Sequence, residues 1–260
     1  MSLQWPIFHI AESPESLVAG IVENLIEAIS TTLWRTSAGR RFHLALAGGS
    51  TPRLLYKKLA DTTGFEAEKC EIYFTDERCV EPDHPDSNYG MACETLLSGV
   101  VMPEGQIHRM EAEWHDLEQA ARDYDRLLHQ RLPRNESGQP SFDLVLLGMG
   151  SDGHTGSLFP ETPALEEDER LVVVNDSPQG VSKRLTLTYP ALNQARRVWF
   201  LVTGEEKADM VATIFRQIGG SETETGRLPA ARVRPKGGEL VWYLDRAAAA
   251  VLQNALGDGG

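Results

Sequence analysis

The sequence contains few cysteines. Cys70, Cys79 and Cys93 are the only three in 260 residues, and no two of them are spaced as a CxxC pair. An odd number of separate thiols, in a chain long enough to form its own core, argues against a disulfide framework and a cysteine-based zinc site. The seven histidines include no HExxH motif, so no metal centre is predicted. We therefore expect reduced thiols and a cytoplasmic protein.

Positive charge and long apolar runs are also scarce. The chain has 25 lysines and arginines against 38 acidic residues, a formal net charge of -13, which does not favour the clustered basic surface of nucleic-acid-binding proteins. No apolar stretch approaches the roughly 18 residues of a membrane span, and no basic segment followed by a long apolar core opens the chain. We expect no nucleic-acid partner, no membrane association and no export signal.

The sequence does contain a regular alternation of short apolar runs and helix-length amphipathic segments. Apolar residues recur every four positions from Leu17 to Leu33, which predicts a long helix over residues 13–35. Strands are predicted at 42–47, 71–75, 106–110, 142–148, 171–175, 184–188, 198–203 and 239–244. Further helices are predicted at 54–60, 87–99, 115–132, 205–218 and 245–256, and a surface loop at 219–238. This order predicts an α/β fold, with a mainly parallel sheet and helices on both faces, as one domain over residues 1–260.

Binding sites in such folds lie beyond the carboxyl ends of the strands, and one predicted strand runs into a GxGxxG pattern there. The pattern consists of Gly148, Gly150 and Gly153. A dinucleotide site needs a full helix after these glycines, whereas Pro160 stands only seven residues beyond Gly153. The turn is therefore predicted to bring main-chain N–H groups onto a smaller molecule.

A histidine stands directly after this glycine turn. Because imidazole groups exchange protons near neutral pH, His154 is a candidate general base. Asp152 either caps the following turn or orients His154, and the sequence leaves both roles open. His84 is a second candidate base, although its neighbours Asp83 and Pro85 favour a surface turn.

A second glycine turn joins a predicted strand to a helix. It contains Gly48, Gly49, Ser50, Thr51 and Pro52. Thr51 can cap a helix whose first residue is Pro52, and the N–H groups of Gly48, Gly49 and Ser50 then lie at the positive end of that helix. This arrangement predicts an anion site, most simply for phosphate.

Charged side chains at other strand ends are candidates for contacts with the same ligand. Asp76 and Arg78 follow the predicted strand at 71–75, and an arginine there can clamp a carboxylate or phosphate. Arg184 and Lys207 are candidate cations for an anion in an acidic chain, although each also fits a solvated surface position.

Taken together, three segments resemble those of the 6-phosphogluconolactonase family. They are LALAGGSTP, FTDER with the following DSN, and LVLLGMGSDGHTGSLFP, and the resemblance continues through KRLTLTYPALNQAR and VWFLVTGEEKADMV. It implies a modified Rossmann-like fold of the glucosamine-6-phosphate deaminase type and no cofactor. It also implies hydrolysis of 6-phospho-D-glucono-1,5-lactone, a phosphorylated sugar lactone, to 6-phosphogluconate in the oxidative pentose phosphate pathway.

The resemblance also implies roles for individual residues. His154 corresponds to the proposed general base of that family, and Asp76 and Arg78 to residues that line the lactone site. The residues expected to hold the phosphate are Gly48, Gly49, Ser50, Thr51, Arg184 and Lys207. Asp152 completes the predicted catalytic set as the candidate partner of His154.

Two alternatives are weighed against this interpretation. The first is an amino-sugar-phosphate deaminase or sugar-phosphate isomerase of the same superfamily; those deaminases continue after the glycine–histidine step with Phe-Asn-Glu-Pro, whereas TGSLFP follows His154 here. A non-catalytic sugar-phosphate sensor would carry a helix-turn-helix module and a basic face, and neither is indicated by the sequence.

Overall fold

The computed structural model describes residues 5–36, 39–220 and 226–252. Its strands are β1 Ile7–Ala11, β2 Phe42–Leu46, β3 Cys70–Phe74, β4 Asp76–Arg78, β5 Leu144–Leu147, β6 Val172–Asp176, β7 Lys183–Leu187, β8 Arg197–Val202 and β9 Glu239–Asp245. Its helices are α1 Pro14–Trp34, α2 Ser50–Ala60, α3 Asn88–Thr95, α4 Leu117–Arg131, α5 Tyr189–Asn193, α6 Ala208–Gly219 and α7 Pro229–Arg232. Short 3-10 segments occur at Ala67–Lys69, Leu97–Gly99, Glu104–Gln106, Pro163–Glu166 and Glu205–Lys207.

Six strands form one parallel sheet in the order β1-β9-β8-β5-β2-β3. Within this sheet, the chain passes from β2 to β3 in one direction and from β5 to β8 in the opposite direction. The strand order therefore reverses between β2 and β5, which is where open α/β sheets bind ligands at the carboxyl ends of their strands. The predicted α/β fold with a mainly parallel sheet is confirmed.

Side chains of the central strands point alternately into two cores on opposite faces of this sheet. Leu144 and Leu146 of β5 pack with side chains of α1 and α2. Val145 and Leu147 of the same strand pack into the larger core with side chains of α4 and α6. A strand covered on both faces is apolar throughout, and all four side chains are fully buried. Burial of each stabilises the fold by about 1.5–3 kcal/mol.

Strands β4, β7 and β6 form a separate antiparallel sheet in that order. The sequence predicts strands at 171–175 and 184–188 but does not separate them from the main sheet. The two sheets meet at Thr75, whose N–H donates to the Leu46 carbonyl at 2.9 Å and whose carbonyl accepts from the Leu187 N–H at 2.8 Å. This junction brings the charged strand β4 to the carboxyl edge of the parallel sheet.

Helix α1 begins where the sequence predicts. Ser13 is its N-cap and forms a capping box with Ser16. The apolar stripe that includes Leu17 and Ile21 is buried. By length and composition α1 would also qualify as a membrane-spanning helix, but its stripe packs in the core that contains β2 and β5. That arrangement is typical of a core helix in a globular domain.

The predicted strand at 106–110 is wrong. Only Ile107 forms a bridge with Ile72 of β3. The His108 N–H donates to the Ile72 carbonyl at 2.8 Å, and the Gln106 side chain donates to the carbonyls of Glu68 and Cys70 at 2.9 and 2.6 Å. These few bonds hold the segment beside β3 without a continuous backbone ladder.

Elements near the ends of the chain also differ from the prediction. Strand β1 is not predicted, because it lies at the sheet edge with exposed side chains and lacks a burial pattern. The predicted loop at 219–238 contains α7, and its residues 221–225 lie outside the described residues. The predicted helix at 245–256 begins as a turn at 246–249 and is helical at 250–252, and the rest of it lies outside the described residues.

Candidate active site

A cavity of about 300 Å³ lies at the carboxyl ends of β2, β3, β5 and β8, across the reversal in strand order. Eight of the ten residues singled out from the sequence line it. These are Gly48, Gly49, Ser50, Thr51, Asp76, Arg78, His154 and Lys207. Asp152 lies behind His154, and Arg184 lies beside Arg78. Motifs spread over about 160 residues of sequence are thus brought into one place.

His154 and Asp152 form a hydrogen-bonded pair in the turn after β5. The imidazole Nδ1 lies 2.5 Å from Asp152 Oδ1, and the same oxygen accepts from the His154 backbone N–H at 3.1 Å. Burial opposes ionisation of Asp152, but the bond from this N–H and the nearby imidazole outweigh it and lower the pKa of the carboxyl. An ionised Asp152 keeps the proton of a neutral imidazole on Nδ1, which leaves Nε2 as an acceptor.

Gly150 makes this pair possible. A Cβ on Gly150 would overlap the imidazole Nδ1 and lie 2.6 Å from Asp152 Oδ1. The turn is closed by the Gly150 N–H, which donates to the His154 carbonyl at 2.9 Å. The second glycine of the GxGxxG pattern therefore provides space for a side-chain pair, and no helix follows it as a dinucleotide site would require.

The GGST turn leads into α2, but its cap differs from the prediction. The helix begins at Ser50, and Gly49 is its N-cap without a side-chain hydrogen bond. Thr51 does not cap α2, because its hydroxyl lies 2.8 Å from the Thr203 hydroxyl after β8. The first N–H groups of α2 consequently have no side-chain acceptor and lie at the positive end of an eleven-residue helix that opens on the cavity.

Lys207 and Glu206 line the cavity from the short 3-10 segment after β8. Within the described ranges, no ion pair engages the Lys207 ammonium group. Glu206 was not singled out from the sequence, and it brings a carboxylate to the same wall. This side of the cavity therefore combines a cation, a carboxylate and the start of α2.

Arg78 and Arg184 are opposite each other on β4 and β7. Arg78 Nη1 donates to the Asp86 carbonyl at 2.6 Å, but the buried Nε atoms of both arginines have no hydrogen-bond partner in the described chain. Burial and the neighbouring Arg78 lower the pKa of the Arg184 guanidinium. Two adjacent guanidinium groups without an acidic ion-pair partner among the described residues favour an anion nearby, although Arg184 itself does not line the cavity.

The two acids of the DER segment have different surroundings. Asp76 lines the cavity, and its Oδ2 accepts from the Ser157 hydroxyl at 2.6 Å. Glu77 points away into the protein and accepts backbone N–H groups of Arg78, Asn88 and Tyr89 at 2.7–2.8 Å. Burial raises the pKa of Glu77, and these donors oppose the shift. Glu77 therefore anchors the start of α3, while Asp76 is available to a ligand.

Several residues that line the cavity are not predicted from the sequence. Asn88 belongs to the DSN that follows FTDER, yet no role was assigned to it. Met149, Gly156 and Thr203 also line the cavity and carry no signal beyond their neighbourhood to recognised motifs. His84, the alternative base, is not among the lining residues, and its Nδ1 accepts from the Asp86 N–H at 3.0 Å in an exposed turn.

The cysteines and metal-binding side chains give no second site. Cys70, Cys79 and Cys93 are free thiols. Across the described ranges, no group of three or more histidine, cysteine, aspartate or glutamate residues could hold a metal ion.

Comparison with known proteins gives one consistent group of relatives. The family model described as glucosamine-6-phosphate isomerases/6-phosphogluconolactonase matches residues 12–242. The 6-phosphogluconolactonase of Synechocystis sp. is 40% identical over 229 residues, which is 88% of this chain and 92% of the relative. The human 6-phosphogluconolactonase is 38% identical over 251 residues, which is 95% of this chain and 93% of the relative.

Solved structures agree with this grouping. The 6-phosphogluconolactonase from Trypanosoma brucei has a TM-score of 0.82 and 31% identity, covering 95% of this chain and 99% of that one. A monomeric glucosamine-6-phosphate deaminase has a TM-score of 0.73 at 20% identity, covering 94% of this chain and 99% of the other. The second similarity concerns the fold alone, and it bears out the predicted deaminase-like architecture.

Proposed function

Because the chain belongs to the glucosamine-6-phosphate isomerase/6-phosphogluconolactonase family, we propose that it hydrolyses 6-phospho-D-glucono-1,5-lactone to 6-phosphogluconate. The observation that carries the proposal is the His154–Asp152 pair, which shares one cavity with the uncapped start of α2 and with Lys207. A base and an anion site in the same cavity suit a small phosphorylated substrate that reacts with water. The step belongs to the oxidative pentose phosphate pathway.

The phosphate binds at the start of α2 in this proposal. Gly48, Gly49, Ser50 and Thr51 supply main-chain N–H groups, the helix end supplies partial positive charge, and Lys207 adds a full one. The lactone ring then extends toward His154, Asp76 and Arg78. Arg184 is assigned a supporting part, since it adds positive charge behind Arg78 rather than lining the cavity.

Ring opening begins at His154. Its Nε2 removes a proton from water, and the water oxygen attacks the lactone carbonyl carbon while the carbonyl electrons move onto oxygen. Arg78 stabilises this oxyanion. When the tetrahedral intermediate collapses, the bond to the ring oxygen breaks, and that oxygen takes the proton from the imidazolium. Water is thereby added across the ester bond, and Asp152 stabilises the imidazolium that forms in between.

Amino-sugar-phosphate deamination is the alternative on this fold. The segment after His154 weighs against it, because it contains Thr155 and Ser157 in place of Phe-Asn-Glu-Pro. The hydroxyl groups of both residues form hydrogen bonds within the protein. The Thr155 hydroxyl donates to the Gly148 carbonyl at 2.8 Å and the Ser157 hydroxyl to Asp76. Both curated relatives described above are lactonases, at 38–40% identity.

The decisive experiment uses freshly prepared 6-phosphogluconolactone, with excess 6-phosphogluconate dehydrogenase to report the opened acid. The wild-type protein is expected to accelerate opening above the spontaneous rate, and His154→Ala to lose about 100-fold to 10,000-fold of that acceleration. His84→Ala is the matched control and is expected to behave as wild type. If neither wild type nor variant accelerates opening, the proposal fails and glucosamine 6-phosphate is tested next.

A further inference from the structure

Asn88 is a buried polar residue in the cavity to which the mechanism gives no part. It is only 2% exposed, and it lines the cavity between the GGST turn and Asp76. Its backbone is fixed, because Asn88 is the first residue of α3 and its N–H donates to the buried Glu77 carboxylate at 2.7 Å. A buried amide held this firmly is suited to read a ligand group.

The orientation of the Asn88 amide follows from its neighbours. The NH₂ group donates to the Asp76 carbonyl at 2.8 Å and to Asp76 Oδ1 at 3.2 Å. Both of these partners are acceptors, so the NH₂ group must face Asp76 and the amide oxygen must face the other way. The oxygen lies against Gly48, where a Cβ would overlap it.

The amide oxygen Oδ1 is therefore an acceptor beside Gly48, and both residues line the cavity. None of the residues that the structure describes donates a hydrogen bond to it. A ligand that excludes water from this acceptor without supplying a donor binds at a cost, so the group that meets Oδ1 in the complex is a donor. In a sugar lactone the available donors are ring hydroxyls.

We propose that Asn88 is a specificity-determining residue whose Oδ1 accepts a hydrogen bond from a ring hydroxyl of the sugar lactone. The inference rests on the proposed function. Because the Asn88 side chain lies between the phosphate-binding turn at Gly48 and the reacting end at Asp76, the hydroxyl belongs to a carbon between the two ends of the substrate. In the 1,5-lactone, those carbons with free hydroxyls are C2, C3 and C4.

The test compares kcat/KM for 6-phosphogluconolactone with that for its 2-deoxy, 3-deoxy and 4-deoxy analogues. In the wild type, one analogue is expected to react about fivefold to tenfold less efficiently because a neutral hydrogen bond is lost. In Asn88→Ala, that ratio is expected to fall below twofold. Asn88→Asp keeps an acceptor oxygen and places a second carboxylate beside Asp76, so it should lose rate on every substrate but retain the ratio.

Asn175 provides the matched control. It is a buried asparagine that donates to the Ser157 carbonyl at 2.8 Å, and it does not line the cavity. Asn175→Ala is expected to lower kcat/KM for all four lactones alike and to keep the wild-type ratio. Cooperative thermal unfolding of each variant checks that it folds.

The outcomes separate the two proposals. If the wild type opens the parent lactone but Asn88→Ala keeps the wild-type ratio for all three analogues, Asn88 is a purely structural residue and the inference is overturned. The inference is also overturned if the wild type discriminates against no analogue by more than twofold. If the wild type opens no lactone at all, the proposed function itself fails.

Discussion

The substitution Asp152→Asn separates two tasks that one carboxylate oxygen performs. Asp152 Oδ1 accepts both from the His154 backbone N–H at 3.1 Å and from the imidazole Nδ1 at 2.5 Å. An asparagine oxygen in the same place can accept both bonds, so the geometry and the imidazole tautomer are retained. Only the negative charge that stabilises the imidazolium is lost.

The expected loss follows from the difference between the two kinds of hydrogen bond. A bond to a charged acceptor contributes about 1.5–3 kcal/mol and a neutral one about 0.5–1.5 kcal/mol, so the change costs roughly 1–1.5 kcal/mol. Since about 1.4 kcal/mol is a factor of ten in rate, kcat should fall about tenfold. The side chains of His154 and Asp152 are 26% and 29% exposed, so solvent screening is partial. Asp152→Ala removes both bonds and should cost about 100-fold to 1,000-fold.

The measurement is the initial rate of 6-phosphogluconolactone opening, corrected for the spontaneous reaction, for wild type and both variants. KM should change little because Asp152 does not line the cavity. The reasoning is refuted if Asp152→Asn is as active as wild type, because the charge would then have no effect. It is equally refuted if Asp152→Asn is as inactive as Asp152→Ala, because the retained hydrogen-bond geometry would then contribute nothing to the rate.

Three further predictions concern the space behind the histidine, the phosphate and acid stability. Gly150→Ala places a methyl group in the position of the imidazole, so activity should fall at least about 100-fold in a chain that still unfolds cooperatively; full activity would contradict the overlap. Lys207→Ala should raise KM about tenfold or more with little change in kcat, and an unchanged KM would show that Lys207 does not bind the phosphate. Burial lowers the pKa of His43 to about 4 in the folded state, below its unfolded value of 6.5. The unfolded chain therefore binds more protons between these values, and stability falls as pH drops from 6.5 toward 4, by about 3 kcal/mol in total. His43→Gln should flatten this part of the pH–stability curve measured by urea unfolding, and an unchanged slope would assign it to other groups.

The sequence predicts the candidate site largely through its turns. Residues such as Gly48 and His154 follow recognisable apolar strands, and the carboxyl ends of parallel strands meet at one edge. Asn88 could not be assigned in this way, because a loop separates it from β4 and it is the first residue of a short helix. Its N–H donates to the carboxylate of Glu77, eleven residues earlier in the chain. Its place in the cavity depends on a buried hydrogen bond rather than on a local pattern.

The fold was predictable where burial leaves a pattern in the chain. The β5 segment is continuously apolar because the sheet covers both of its faces, and α1 repeats its apolar residues every four positions. The edge strand β1 has no such pattern. The division into two sheets was not predictable either, because it depends on the backbone hydrogen bonds of Thr75. Residues of every type can form backbone hydrogen bonds, so such bonds leave no pattern in the sequence.

The junction at Thr75 has a consequence for refolding. The cavity takes residues from both sides of this junction, from Gly48 before it to Lys207 after it. Only a contiguous fragment of about 160 residues or more contains the whole set, and long-range contacts form late because loop closure opposes them. Recovery of hydrolytic activity after dilution from denaturant should therefore follow the last folding step, and turnover would report the fraction of chains that have completed the whole structure.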